Sequence, residues 1–185
     1  MNPANAYVRE LVQSGALGKI MQFTGTYDQD QLLDETLPIT WRHINKLAGC
    51  GALGDLGSHL LSISQFIMGD ISKVNAMSTI VFPKRPKAAG SSEMADVENE
   101  DIMTFMAEYA NGAIGTIACS RVATGRKNYL CYEIQGTKGS VRYDLERMGE
   151  VQVYFQSDNE RDRGFRTVLL NPQMKGYAAF QPAAG

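Results

Sequence analysis

The chain has 185 residues, 44% of them hydrophobic and 21% charged, with a net charge of −2. That length supports one good core and is too short for two comfortable domains, so a single globular domain over residues 1–185 is expected. The near-neutral balance argues against nucleic acid or an anionic membrane as a partner. No 18-residue apolar run suggests a membrane span, and Asn2, Pro3 and Arg9 interrupt any signal-peptide pattern. Cys50, Cys119 and Cys131 lack C-x-x-C spacing, which fits small buried thiols in a reduced, cytoplasmic protein.

In chain order, Pro3 sits near a helix start, and Tyr7, Val8, Leu11 and Val12 give an amphipathic helix from Ala4 to Ser14, ended by Gly15. Residues 19–30 alternate as a strand and run out into an acidic, irregular loop to Thr40. This loop brings Trp41, Arg42 and His43 to the next element. Loops of this length inside compact domains are more often functional than idle. Trp41 reads equally as core, Arg42 as paired to loop acids, and His43 as surface or bonded to backbone.

The stretch AGCGALGDLGSHLLSISQFIMG, residues 48–69, dominates the chain. Small residues open it, Leu53, Leu56, Leu60, Ile63 and Ile67 recur at helical spacing, and Gly69 closes it. Asp55 and His59 stand four apart, on one helix face beside the apolar stripe. Gly57 costs about 1 kcal/mol relative to alanine inside a helix. Its presence implies a close approach to the backbone by a ligand, a strand or another domain.

Residues 71–82 read as a strand. Residues 83–100 read as an exposed excursion whose Lys84, Arg85 and Lys87 are solvated. The rest is strand and turn: 101–110 and 113–121 flank Asn111-Gly112, a strong hairpin signal. Period-two runs come next at 130–135, 141–145 and 151–155, with a further strand at 165–170. Arg121, Arg126, Lys127 and Asn128 flank a loop that reads as a solvated turn. Two early helices and about seven strands define an α+β fold, a large open, mostly antiparallel sheet with helices on one face. The hairpin strands are apolar on both faces, so a second copy of the chain is a candidate to cover the other one.

The segment GCGALGDLGSHL resembles the helix motif that opens the C-terminal domain of the Gfo/Idh/MocA oxidoreductases, the glucose–fructose oxidoreductase and inositol dehydrogenase family. The likeness extends to NPANAYVRELVQSGALGKI, ITWRHINKLAGCGAL, VENEDIMTFMAEYANGAIGTIACSR and YEIQGTKGSVRYD, in the family's order. It implies an enzyme with an N-terminal Rossmann domain for NAD or NADP and a C-terminal α+β domain for substrate and oligomerisation. Such an enzyme interconverts a sugar or polyol hydroxyl and its ketone. The family's helical aspartate and histidine fall on Asp55 and His59, with the histidine as acid/base. Trp41 and Arg42 match a motif near the nicotinamide. Asp28 and Gln29, leaving the first strand towards the same place, are candidate sugar contacts.

The chain also departs from the family. No G-x-G-x-x-G follows a strand and no Glu-Lys-Pro occurs. The expectation is a substrate domain alone, without the Rossmann domain, holding no cofactor and transferring no hydride by itself. Two other readings stay open on the sequence: a metal site of Asp55, His59 and His43, and a non-catalytic dimeric module for a sugar or a partner protein.

Overall fold

Asn2 starts the first helix, α1 (Pro3–Gln13), by accepting the Ala4 N–H on its side chain, while Pro3 fills a first-turn position that needs no donor. The computed structural model describes residues 2–180. Gly15 and Gly18, both at φ +74°, turn the chain into β1 (Ile20–Asp28). After the loop come the short α2 (Asn45–Ala48), a π-helical turn (Leu53–Gly57) and α3 (Ser58–Met68), which ends at Gly69 with φ +90°. The strands β2 (Ile71–Thr79), β3 (Lys84–Pro86), β4 (Met94–Asp96), β5 (Ile102–Tyr109) and β6 (Ile114–Ser120) lie beyond it in the chain. Next are β7 (Tyr129–Gly136), β8 (Gly139–Asp144), β9 (Glu150–Phe155), β10 (Arg166–Leu169) and a last turn, α4 (Tyr177–Phe180).

Eight strands form one sheet in the order β10-β9-β8-β7-β1-β6-β5-β2, while β3 and β4 pair separately. Every pairing in the large sheet is antiparallel except β1 with β6. This is the expected α+β architecture: the eight strands of the main sheet fall on the segments the sequence pattern marks, and only the β3–β4 ribbon is additional. The parallel pair sets Asp28 beside Ser120, so the ends of β1 and β6 and the start of β7 lie together at one end of the sheet's central strands.

Period-two alternation sends Phe23, Ile117, Tyr132, Ile134, Val141 and Val153 to the helix-covered face, where all are buried with Ala4, Val8 and Leu60. Phe23 stacks on Tyr132 at 5.7 Å, and Gly25 leaves room for Leu60 of α3, which a Cβ there would meet at 3.1 Å. Full burial of such side chains stabilises by about 1.5–3 kcal/mol each. The other face is bare: Met77 of β2, Met106 of β5 and Ile114 of β6 are exposed. Among the described residues no helix is long and apolar enough to cross a membrane.

The excursion at 83–100 departs from the expectation of a wholly exposed segment. The β3–β4 ribbon gives it structure, and Arg85, Val97 and Asn99 are buried. Arg85 is not solvated; its guanidinium donates to the carbonyls of Asp34 and Leu32 and so staples the acidic loop down. Arg121, read as part of a solvated turn, is also fully buried, paired with Asp101 at 3.3 Å. Both corrections have one cause. A long side chain can be buried when it meets backbone carbonyls or a buried carboxylate, and those partners come from segments 20 to 53 residues away.

Candidate functional site

Asp55 lies in the π-helical turn, where the Ser58 N–H reaches back five residues to the Leu53 carbonyl. π-turns of this kind recur at functional sites. The widened turn begins where glycine permits it. A Cβ on Gly51 would lie 2.0 Å from the Glu100 carbonyl oxygen, so only glycine fits. At Gly57 the close neighbour is a strand: a Cβ would meet Cys119 Sγ of β6 at 3.1 Å. Burial pushes that Cys119 thiol up to about 12.

The Asp55 carboxylate is aimed by two neighbours. Gln31 Nε2 donates to its Oδ2 at 3.3 Å, and Arg42 Nε faces the same oxygen at 3.5 Å, as an ion pair rather than a hydrogen bond. The Arg42 guanidinium also lies 4.5 Å from the Trp41 ring centroid, and the indole is 54% exposed. Trp41 is therefore not core, and Arg42 pairs with the helix rather than with the loop acids. Gln31 went unnoticed in the sequence because nothing local marks it; the fold of its loop brings it to Asp55.

His59 is exposed on the first turn of α3, with its ring edge-on to Tyr27 at 6.0 Å. Tyr27 donates its hydroxyl to Asn128 Oδ1 at 2.8 Å, and Gln29 Nε2 donates to that oxygen at 2.8 Å and to the Tyr27 hydroxyl at 3.3 Å. Burial raises the Tyr27 hydroxyl above its ordinary value, and the Asp55 carboxylate adds to that. A cleft of about 310 Å³ opens here between Tyr27, His59, Ser62, Leu130 and Tyr143. A larger groove of about 780 Å³ runs beside Arg9, Gln13, Phe66 and Lys175 and touches none of these site residues.

The fold thus gathers Asp55, Gln31, Arg42 and Trp41 on one side, and His59, Tyr27, Gln29 and Asn128 on the other. No hydrogen bond joins Asp55 to His59 among the described residues. Asp28 is not drawn into this cluster. Its carboxylate takes the Thr26 hydroxyl at 2.8 Å, and the β1 alternation puts both side chains on the sheet face opposite Tyr27. Burial raises the Asp28 carboxyl above its usual range.

His43 is fully buried rather than on the surface, and its Nδ1 accepts the Thr40 N–H at 2.9 Å. Burial, then the positive charges of Arg85 and Arg121, hold its pKa below the ordinary value. Among the described residues no three His, Cys, Asp or Glu side chains are placed to hold a metal ion. The trio of Asp55, His59 and His43 is not assembled. The three cysteines are free, with Cys119 and Cys131 buried and Cys50 partly so.

A carboxylate and a histidine thus lie near one end of the sheet's central strands, beside an exposed indole and a patch of neutral amides and a phenol. The GFO/IDH/MocA C-terminal domain matches residues 5–142. The chain belongs to the Gfo/Idh/MocA family. It is 39% identical over 181 residues to levoglucosan dehydrogenase of Pseudarthrobacter phenanthrenivorans, covering 92% of this chain and 46% of that protein. A levoglucosan dehydrogenase structure in complex with NADH and L-sorbose superposes with a TM-score of 0.90 at 39% identity, over 94% of this chain and 46% of the other. An NAD-binding oxidoreductase from Klebsiella pneumoniae gives 0.91 at 39% identity, over 96% and 47%. The chain therefore spans about half the length of the relatives it matches.

Proposed function

We propose that this chain is the substrate-binding and oligomerisation domain of an NAD-type oxidoreductase that interconverts a sugar or polyol hydroxyl and its ketone. The nucleotide-binding domain lies outside these residues and supplies the cofactor's main contact surface. The observation that carries the reading is the shared strand end: His59 faces a cleft lined by Tyr27, with Asp55 on the adjoining turn held by Arg42 and Gln31.

The neighbouring groups favour a neutral polyhydroxyl ligand. Gln29, Asn128 and Tyr27 offer uncharged donors and acceptors, while the cations beside Asn128 are engaged: Lys127 with Asp30 at 2.6 Å and Arg126 with Glu146 at 3.4 Å. A phosphorylated sugar would find no free guanidinium or ammonium among these. The exposed Trp41 indole and the neighbouring Arg42 fit a nicotinamide nucleotide as a flat apolar face and a cation beside it. A nicotinamide cofactor bound there would supply the hydride chemistry. His59 takes the hydroxyl proton as the carbonyl forms and gives it back in reverse, the general acid–base role an imidazole commonly fills. Asp55, held by the Gln31 amide and the Arg42 charge, sets the local field in which that proton moves.

The bare sheet face, with Met77, Met106 and Ile114 exposed, supports self-association through the sheet. The test of the catalytic reading is His59→Ala in the intact protein, assayed with NAD and neutral sugars. Turnover should fall by about 10²-fold or more, with NADH binding retained. An unchanged kcat would mean that another group carries the proton.

A further inference from the structure

The segment between β4 and β5, residues 97–100, grips both halves of the Arg42–Asp55 pair. Glu100 accepts three consecutive backbone N–H groups at the start of the π-helical turn. Its carboxylate receives Gly51 N–H at 2.9 Å and Leu53 N–H at 3.0 Å, and its main-chain carbonyl receives Ala52 N–H at 2.9 Å. The Gly51 carbonyl in turn accepts the Asp55 N–H at 3.0 Å. One carboxylate thus does, from a distant segment, what an N-cap residue does locally: it satisfies the first free donors of a helix and favours its positive end.

Asn99, the residue before it, does the same for Arg42. Its Nδ2 donates to the Arg42 carbonyl at 2.9 Å, and Arg121 Nη1 adds a second donor to that oxygen at 3.3 Å. The Asn99 side-chain oxygen accepts from Asn45 at 3.1 Å. Glu98 completes the grip by accepting the Asn45 N–H at 2.7 Å on its carboxylate. Asn99 is 1% exposed, and neither it nor Glu100 lines the cleft at His59.

We propose that Asn99 and Glu100 are positioning residues, which fix the spacing of the Arg42 guanidinium and the Asp55 carboxylate without touching substrate. Two adjacent residues set two backbones, and the ion pair between them is the result. This inference rests on the reading that Asp55 and His59 serve the reaction.

The test compares Glu100→Gln, Asn99→Ala and His59→Ala in the intact protein. Each is titrated with NADH so that kcat is expressed per binding site, and each is melted to follow folding. Glu100→Gln keeps the shape and one accepting oxygen, but removes the charge at the helix start and sets an amide N–H₂ against the Gly51 N–H. Its kcat per NADH site should fall by about 10²-fold, the scale of a 1 Å misplacement, with KM for the sugar within about threefold by the same reasoning, since no substrate contact is lost. Asn99→Ala, which leaves the turn intact, should fall in the same direction and serves if Glu100→Gln does not fold. Wild-type kcat per NADH site in both variants, with His59→Ala impaired, overturns the positioning role and leaves the catalytic reading standing. An unimpaired His59→Ala overturns both.

Discussion

Replacing Asp101 by alanine removes the counter-charge of a fully buried guanidinium. Asp101 and Arg121 have side chains 1% and 0% exposed and meet at 3.3 Å. The second Asp101 oxygen accepts the N–H groups of Val81 at 2.8 Å and Phe82 at 3.3 Å, which turns the chain out of β2. Breaking such a pair from one side typically costs about 3–5 kcal/mol, because the remaining charge stays buried and unpaired. For a chain of this size, each kcal/mol lowers Tm by about 2–4 °C, so a fall on the order of 10 °C is expected from the same scaling. The assay is thermal and urea unfolding of Asp101→Ala, Arg121→Met and the double variant. The double variant should cost less than the sum of the singles by about 1–3 kcal/mol, the range of coupling between contacting residues. A loss below about 1 kcal/mol, the size of an exposed pair, would refute the buried ion pair and the account of why Arg121 is not solvated.

The same geometry makes Gly51 irreplaceable: Gly51→Ala places a Cβ 2.0 Å from the Glu100 carbonyl oxygen, backbone against backbone. It should cost about 3 kcal/mol, the upper range for overpacking, and a wild-type melting curve would contradict the close approach. His43 has its folded pKa depressed by burial, so below its unfolded value near 6.5 the unfolded chain binds the proton first and stability falls as pH drops. His43→Asn keeps an acceptor for the Thr40 N–H and should flatten the loss of stability as pH falls below about 6.5; an unchanged pH dependence would show that His43 does not contribute to it. Met106→Glu puts a charge on the bare sheet face and should shift the intact protein towards monomer in light scattering. An unaltered mass would place the interface elsewhere.

Much of the fold was legible in the residues themselves. Period-two alternation in residues 130–135, 141–145 and 151–155 announced β7, β8 and β9, and Asn111-Gly112 announced the β5–β6 hairpin, whose Gly112 has φ +83°. These are local rules of backbone geometry, and the strands obey them. Asp55 and His59 stood out for a similar reason, as polar groups beside an apolar helical stripe. The spacing of four did not foretell the π-turn, whose first N–H groups are met by Glu100, 47 to 49 residues on.

Which polar groups meet was a matter for the folded chain. Composition and spacing made Trp41 as plausible inside as out and left Arg85 and Arg121 solvated. Folding exposed the first and buried the other two, because Leu32, Asp34 and Asp101 arrive from elsewhere to satisfy them. The parallel pairing of β1 with β6, invisible in any local pattern, is what puts the Tyr27 end of one strand beside the Cys119 end of the other, beneath the turn that carries Asp55. Periodicity is a property of neighbouring residues, so the strands, the helices and the two suspect side chains could be read from residue order alone. Charge burial and site assembly depend on partners distant in the chain, so those were settled only when the strands found their order.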